Sequence, residues 1–227
     1  LARVADANGA QVTLDRGLGL DMPAGAQVCD AQLRRNVAVR DLTVRYDIDA
    51  APQPNDYTNR WPDFAIDGIA ARSAAFVTLT DVEVVNAGRH AFNLDSVFAP
   101  DLHSIRAINA YNKGTSGNGY VRFARTYYAH VDGLYARGMR HVAVQWSSHH
   151  NEFTGLDADC DVNFHGGFAH HNTVRAVHLV PRDGHRWSAV YRTPDNASWA
   201  SPDGPENNVF GSDGNQIATK KAGVRTE

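Results

Sequence analysis

The amino-acid sequence predicts an all-β fold, a right-handed parallel β-helix built from short strands. Two observations predict it: a recurring phrase, and an alternation of apolar and polar residues between its two copies. The phrase His-His-Asn begins at His149 and again at His170. A phrase that recurs after about one coil of chain indicates a solenoid, in which each coil stacks on the one before it.

The alternation covers residues 156–165. Its apolar parity consists of Leu156, Ala158, Cys160, Val162 and Phe164, and its polar parity of Asp157, Asp159, Asp161, Asn163 and His165. Because successive side chains of a strand point to opposite faces, the pattern predicts one strand with an apolar interior face and a polar outer face. Cys160 is therefore predicted to be a buried thiol rather than half of a disulfide.

Composition limits the fold and the partners. The chain has 227 residues and a net charge of −3, which predicts no broad basic surface and no nucleic-acid partner. No apolar run approaches the length of a transmembrane helix, so no membrane partner is predicted. Its 19 glycines and only 2 methionines favour a turn-rich β protein over a helical one.

The chain is predicted to have three parts. Residues 1–35, with a strand at 11–14, form an N-terminal coil or cap; residues 36–211 form the β-helix; residues 212–227 form a polar tail. Long insertions at 49–63 and 181–206 interrupt the coils. Long loops on a repeat scaffold usually leave from one face, so these two are expected to flank a binding cleft.

Two strand patterns recur in coils of about 21–26 residues. The first occurs at 82–87, 105–110, 131–136, 153–158 and, more loosely, 174–179. The second occurs at 92–95, 121–124, 144–147 and 162–165, with Ile66 and Asp67 as an earlier copy. Stacking the second pattern predicts an interior column of Leu94, Phe123, Trp146 and Phe164. It also predicts two outer rows, one of Asn93, Arg122, Gln145 and Asn163 and one of Asp67, Asp95, Ala124, Ser147 and His165.

The phrases at the coil corners, such as 171–174 and Asn208-Val209, resemble those of the pectate-lyase-like β-helix superfamily. The resemblance covers roughly residues 36–211 and lies in the repeat pattern, without a catalytic signature. It implies a carbohydrate-active protein, since the superfamily includes polysaccharide lyases, glycoside hydrolases and phage tailspike depolymerases. It also implies a polysaccharide partner, a secreted or extracellular location that includes the phage particle, and a homotrimer as a candidate assembly.

The polar face suggests cleavage of an acidic polysaccharide by β-elimination. That reaction needs a group that neutralises the uronate carboxylate, a base for the α-proton and a donor to the leaving oxygen. Arg122, Asn163 and Gln145 could bind the carboxylate, His165 could be the base, and Tyr191 or Tyr120 the donor. The predicted catalytic residues are His165, Arg122, Asp161 and Asp159, and the predicted substrate contacts are Asn163, Gln145, Tyr191 and Trp187.

Two other functions stay open at this point. Carboxylates two residues apart on a strand are about 6.6–6.8 Å apart at Cα, so the 157–161 face could serve a glycoside hydrolase. A tailspike or adhesin module that binds glycans without cleaving them is the non-enzymatic alternative.

The metal set is also left open by the sequence. Ca²⁺ is a candidate cofactor for the aspartate row, although the Arg-x-Pro-x-x-Arg motif of pectate lyases is missing from the sequence. Most of the 11 histidines lie between His141 and His185. Because His149-His150 and His170-His171 repeat in register, we expect them to form a structural ladder at the coil corners rather than a metal site.

Overall fold

The computed structural model describes residues 4–9, 11–17, 24–27, 31–48, 50–165 and 169–192, and two short strands at 209–210 and 216–217. For residues 191–192, 209–210 and 216–217 it describes the backbone alone. The chain divides into two compact units, Leu1–Gln32 and Leu33–Glu227. Of the predicted 181–206 insertion, residues 193–206 lie outside the described residues, as does most of the 212–227 tail.

The first unit contains one antiparallel hairpin. Strand β1 (Val4–Asn8) pairs with β2 (Gln11–Leu14), and the side chains of β1 are all exposed. The strand predicted at 11–14 is confirmed, while the capping role of this segment stays a prediction.

The second unit is built from strands, with one 3₁₀ turn (Pro62–Phe64). Among the described residues there is no α-helix, and none that could span a membrane. The strands are β3 (Arg34–Arg35), β4 (Ala38–Arg45), β5 (Ile69–Ala75), β6 (Thr78–Ala87), β7 (Phe92–Phe98), β8 (Asp101–Ala110), β9 (Tyr120–Tyr127), β10 (His130–Arg137), β11 (His141–Gln145), β12 (Glu152–Thr154), β13 (Asp157–Ala158), β14 (Asp161–His165), β15 (Thr173–Arg175), β16 (His178–Leu179), β17 (Val190–Arg192), β18 (Val209–Phe210) and β19 (Gln216–Ile217).

These strands form two sheets, and the chain visits the sheets in turn. The seven-stranded sheet has the order β17-β14-β11-β9-β7-β5-β3. The ten-stranded sheet pairs β4 with β6, β6 with β8 and β8 with β10, and continues from β10 through β12 and β13. Every strand pair within these two sheets is parallel. The predicted all-β class with parallel strands is confirmed.

The interior follows the alternation seen in the sequence. In the ten-stranded sheet, Leu79, Leu102, Val131, Phe153 and Val174 pair in register from strand to strand, and all five are buried. Cys160 is a buried free thiol, as predicted. Because every second residue of each strand faces the interior, one apolar parity per strand is enough to build this core.

The register of two strand pairs differs from the prediction. In the seven-stranded sheet Phe123 pairs with Val144, and Trp146 lies just beyond the end of β11. In the ten-stranded sheet Ile105 pairs with Leu134 rather than with Val131. The first error arises because a shift by two residues preserves parity. The second arises because the segment 111–119 adds residues between β8 and β10. The apolar spacing of β10 fits Ile105 to either Val131 or Leu134.

Two further strand predictions are wrong. Ile66 and Asp67 precede β5, and it is Ile69 that pairs in register with Phe92. Residues 156–165 do not form one strand: β13 belongs to the ten-stranded sheet and β14 to the seven-stranded sheet. The chain turns between the two sheets at Asp159 and Cys160 while keeping the inside–outside alternation, so the pattern resembles that of a single strand.

Asparagines form a buried ladder at one corner between the sheets. Asn151 accepts a hydrogen bond from the Ala129 backbone N–H at 2.8 Å and donates to the Thr126 carbonyl at 2.9 Å. Asn172, one coil further on, accepts from the Asn151 side chain at 2.8 Å and donates to the Ser148 carbonyl at 3.1 Å. The ladder supplies partners to backbone groups that the turn removes from the sheets.

Replacing either ladder residue, in Asn151→Ala or Asn172→Ala, is expected to lower the free energy of unfolding by about 1–3 kcal/mol, because each leaves buried backbone groups without a partner. The double variant should lose less than the sum, since the two side chains bond to each other. Urea titration measures the loss, with Asn8→Ala on the exposed strand β1 as the control. Single variants as stable as the native protein would contradict a stabilising ladder.

Candidate functional site

The outer face of the seven-stranded sheet carries two polar rows. The first row consists of Asn93, Arg122, Ala143 and Asn163, and the second of Asp95, Ala124, Gln145 and His165. Gln145 was predicted in the first row and Ser147 in the second; both are displaced by the two-residue shift of β11. As a result Gln145 is the direct neighbour of His165, two strands from Asp95.

Arg122 is held by three side chains of neighbouring strands. Its Nε donates to Gln145 Oε1 at 2.9 Å, and its Nη1 donates to Asn93 Oδ1 at 2.8 Å and to Asp95 Oδ2 at 3.0 Å. The side chain is 16% exposed. Within the described residues, no hydrogen-bond partner contacts its Nη2. That edge of the guanidinium is the part available to a ligand.

Asp95 balances the charge of Arg122. It also receives Arg125, whose Nη2 lies 2.5 Å from Asp95 Oδ1. Burial alone would raise the pKa of Asp95, but hydrogen bonds from Arg125 and Arg122 lower it below its usual value. The carboxylate is therefore ionised at neutral pH, and two arginines share one carboxylate.

His165 is a neutral, partly buried imidazole at the end of β14. Burial lowers its pKa to about 4, with smaller electrostatic contributions from His141, Arg140 and Arg122 in the same direction. The Trp146 ring lies edge-on to it, with ring centroids 5.5 Å apart. An imidazole that is unprotonated at neutral pH can accept a proton, so His165 meets the first chemical requirement of a general base.

Asn163 lies in the same row as Arg122, two strands away, precedes His165 by two residues on β14, and is 1% exposed. Its Oδ1 is buried and has no hydrogen-bond partner among the described residues. Its backbone pairs with Ala143 on one side and with Tyr191 on the other. The predicted role of the Tyr191 side chain concerns atoms outside the described residues. A buried amide oxygen without a partner is costly, which favours a ligand donor at this position.

Asp161 does not lie on an open face, contrary to the prediction. It is 0% exposed and lies between two imidazoles, with His141 Nδ1 2.7 Å and His185 Nε2 2.7 Å from its Oδ1. Burial alone would raise the pKa of Asp161, but attraction to His141 and the hydrogen bonds lower it. Burial also lowers the pKa of His141, despite the adjacent carboxylate.

The hydrogen bonds continue from Asp161 to a tyrosine of the first insertion. The Tyr57 hydroxyl lies 2.8 Å from His185 Nδ1 and 3.0 Å from the Arg182 guanidinium, which donates to it. When Tyr57 donates to His185, and both histidines donate to Asp161, every bond in the chain is satisfied. Burial raises the pKa of Tyr57 to about 12, so its hydroxyl keeps its proton.

The two insertions meet at this end of the sheet. Asn55 donates to the Asp183 carbonyl at 2.7 Å, and Arg182 donates to the Pro54 carbonyl at 2.6 Å. Trp187 packs against this junction, with its ring 4.4 Å from His141 and 5.1 Å from Tyr57 between centroids. The described parts of both insertions therefore cover one end of the outer face, and Trp187 fixes the second insertion onto it.

Tyr120, the other predicted donor, is buried. Its ring packs 5.0 Å from His141 and 5.3 Å from His90, and burial raises its pKa. Because Tyr120 is buried between His90 and His141, it is a packing residue of this site rather than an accessible donor.

The three aspartates of 157–161 do not face one another. Asp157, in the other sheet, pairs with Arg137 at 2.7 Å and with His178 at 2.9 Å. Asp159 pairs with Arg182 at 3.0 Å and accepts from the Gly138 backbone N–H at 2.9 Å. Each carboxylate has its own donors because the chain turns between the sheets at Asp159. The predicted row of three like charges for Ca²⁺ or for hydrolysis is not assembled.

The repeated histidines form the expected ladder. His149 stacks on His170 with ring centroids 5.0 Å apart, and His150 stacks on His171 at 5.1 Å. Between neighbours in the sequence, the Nδ1 atoms of His149 and His150 are 3.0 Å apart and those of His170 and His171 are 2.7 Å apart. These rings stack where residues 149–150 and 170–171 run parallel to each other, as the repeated phrase predicted.

Sequence reasoning did not single out Tyr57, His141, His185 or Lys113. The density of histidines between His141 and His185 was the available signal for two of them. Lys113 is buried, and its Nζ donates to the Gln53 carbonyl at 2.7 Å. Burial, and to a smaller extent the charge of Arg182, lower the pKa of Lys113 to about 8. This lysine connects the 49–63 insertion to the segment that follows β8.

The positions of the polar side chains on this face decide which of them can act together. It brings Arg122, Gln145 and His165 together, places Asn163 beside them, and separates them from Asp157. No family model matches the chain, and no curated protein or solved structure does either.

Proposed function

We propose that the second unit is a right-handed parallel β-helix whose seven-stranded sheet binds an acidic polysaccharide on its outer face and cleaves it by β-elimination. The alternation of the chain between two parallel sheets supports the β-helix. Connections between parallel strands are right-handed in almost all proteins, which supports the hand.

Arg122 is the proposed carboxylate-binding group. Its guanidinium is fixed by Gln145, Asn93 and Asp95, so little side-chain entropy remains to be lost when a ligand binds. A uronate carboxylate can bind to the Nη2 edge of Arg122, and the Oδ1 atom of Asn163 can accept a hydrogen bond from a sugar hydroxyl. Neutralising the carboxylate makes the α-proton more acidic, which is the first need of an elimination.

His165 is the proposed base. In the reaction its neutral imidazole takes the α-proton, the C–H electron pair forms the new double bond, and the bond to the leaving oxygen breaks. The oxygen then takes a proton from a donor, for which Tyr191 remains the proposal because its backbone pairs with Asn163. Asp161 and Asp159 are proposed to act indirectly, by holding His141, His185 and Arg182 at the covered end of the face.

The single observation that supports this function best is the neutral His165 beside the Gln145 that holds Arg122. The base on β14 and the cationic group on β9 are two strand spacings apart, about 9.6 Å between backbones, so a bound uronate residue can lie over Gln145 of β11 between them. The hydrolase alternative is favoured less because its carboxylates are in different sheets and each has basic partners.

A glycan-binding module is the second candidate function. The observation in its favour is that Asp95 already compensates Arg122, which lowers the charge available to polarise a substrate. A secreted protein or tailspike component with a polysaccharide ligand, as a monomer or homotrimer, fits either function.

The test is incubation with a panel of uronic-acid polysaccharides while the ultraviolet absorbance of the unsaturated product is followed. The native protein should generate this absorbance. His165→Ala should lower kcat/KM by at least about 100-fold, as expected for loss of a general base. The matched control is His178→Ala, an exposed histidine of the other sheet, which should leave the rate unchanged.

Two results would overturn the lyase proposal. New reducing ends without the absorbance would show hydrolysis instead. Retardation of the native protein in gels containing the polysaccharide, with no product of either kind, would show a binding module.

A further inference from the structure

A second cluster of side chains lies on the other sheet, independent of the proposed polysaccharide site. Asp101 and His103 are two residues apart on β8, and His130 of β10 pairs in register with Asp101. Leu102, which lies between Asp101 and His103, and Val131, which follows His130, are fully buried in the core. Because side chains alternate along a strand, Asp101, His103 and His130 all project from the outer face of the ten-stranded sheet.

The three side chains converge on a small volume. His103 Nε2 lies 2.9 Å from Asp101 Oδ1, and His130 Nδ1 lies 3.0 Å from the same oxygen. All three ligand atoms lie within 4.8 Å of one another. Donor atoms around a tetrahedral zinc ion, each about 2.0–2.1 Å from the metal, are about 3.3 Å apart. Each of the two Asp–His spacings would need to lengthen by only a few tenths of an ångström to reach that value.

We propose that Asp101, His103 and His130 bind a divalent transition-metal ion of the zinc type. Two imidazole nitrogens and one carboxylate oxygen are a ligand set that Zn²⁺, Co²⁺ and Ni²⁺ prefer, whereas Ca²⁺ takes oxygen ligands. Three protein ligands leave a fourth position for water or for an additional side chain.

The neighbouring strand offers that additional side chain. Glu152 of β12 pairs in register with His130 and is exposed. It therefore lies one strand spacing, about 4.8 Å, from His130 on the same outer row. Its flexible carboxylate can reach a metal held by the other three residues.

The site is open to solvent and its ligands are held by strands. The exposed fractions of the side chains are 47% for Asp101, 36% for His103 and 50% for His130, so an ion can enter without any backbone opening. Parallel ladders on both sides of β8 fix the spacing of all three Cα atoms. The ligands are thus preorganised, which lowers the entropic cost of binding.

The competing explanation is that Asp101 simply forms ion pairs with two protonated histidines. The His178–Asp157 pair of the same sheet provides a matched comparison, since its atoms are 2.9 Å apart and its side chains are similarly exposed. There the third group is the Arg137 guanidinium, which cannot ligate a metal.

The experiment is titration of the full chain with Zn²⁺, and with Co²⁺ as a spectroscopic probe, at neutral pH. Binding should be followed by calorimetry and by the visible absorption of bound Co²⁺. His103→Ala and His130→Ala should each lose one equivalent of bound metal, or bind it at least 10-fold more weakly. His178→Ala should bind as the native protein does. Circular dichroism should show that all three variants are folded, since these side chains are exposed.

Two outcomes would overturn the proposal. Equal binding by the native protein, His103→Ala and His130→Ala would show that the cluster holds no metal. Loss of the bound equivalent in His150→Ala and His171→Ala, with His103→Ala unaffected, would assign the metal to the histidine ladder instead.

Discussion

Replacing Asp161 by alanine is expected to lower the free energy of unfolding by about 3–5 kcal/mol, the largest loss of any aspartate in the described chain. Asp161 is fully buried and is the shared acceptor of His141 and His185. Its removal leaves two buried imidazole N–H groups without a partner and breaks the hydrogen-bond chain to Tyr57. The first insertion should loosen from the outer face as a result.

Denaturant titration of Asp161→Ala measures this loss, and Asp161→Asn is the milder variant that keeps one acceptor oxygen. The matched control is Asp157→Ala, which removes a carboxylate that also lies between two basic groups but is 39% exposed. Exposed ion pairs contribute about 0–1 kcal/mol, so the control should change little. Equal losses in Asp161→Ala and Asp157→Ala would refute the distinct role assigned to the buried carboxylate.

Acidification from pH 6.5 to about 4 is expected to destabilise the fold strongly. Burial lowers the pKa of His90 to about 3, of His149 to about 3 and of His165 to about 4. The unfolded chain takes up a proton at each histidine near pH 6.5, while the folded chain does not, so stability is full above pH 6.5 and falls as the pH drops towards the folded pKa values. The shift of His90 alone corresponds to roughly 5 kcal/mol, of which roughly 3 kcal/mol is lost between pH 6.5 and pH 4.

His90 shows why the folded state excludes the proton. Its Nδ1 accepts a hydrogen bond from the Tyr120 backbone N–H at 3.3 Å, and protonation of that nitrogen would remove the acceptor. Urea titrations between pH 4.5 and 7.5 should give a steep loss of stability in the native protein and a shallower one in His90→Gln.

His178→Ala, which removes an exposed histidine, should retain the native pH dependence. Aspartates with lowered pKa values lose their stabilising effect below about pH 5, so the loss of stability between pH 7.5 and pH 5 is attributed to the histidines. A native protein equally stable at pH 4.5 and 7.5 would be incompatible with buried neutral histidines.

Local sequence pattern was sufficient to predict an all-β chain and the inward face of 156–164. The apolar parity of 156–164 is buried throughout, and the phrase at His149 and His170 marks a stacked corner. Both signals arise between residues close in sequence or one coil apart, where side-chain alternation and stacking leave few arrangements.

The same pattern could not set the register of β11. Val142 with Val144, and Val144 with Trp146, are equally regular alternations, and a shift by two residues keeps every side chain on its face. Hydrogen-bonded pairing with β9 on one side and β14 on the other selects Val144 as the partner of Phe123 and Phe164. Gln145 therefore pairs in register with His165 and Ala124, and it is Ala143 that pairs with Asn163 and Arg122.

The sequence by itself determined an all-β chain of parallel strands, one apolar face for each strand, and the polar residues available outside. Tertiary structure alone decided which of those polar residues are accessible. Tyr57 reaches His185 across 128 residues of sequence, and together with Asp161 and His141 they form a buried network at the covered end of the face. Periodicity describes neighbours along a strand and carries no information about a distant insertion that folds over it, so it predicted an exposed aspartate where the fold buries one.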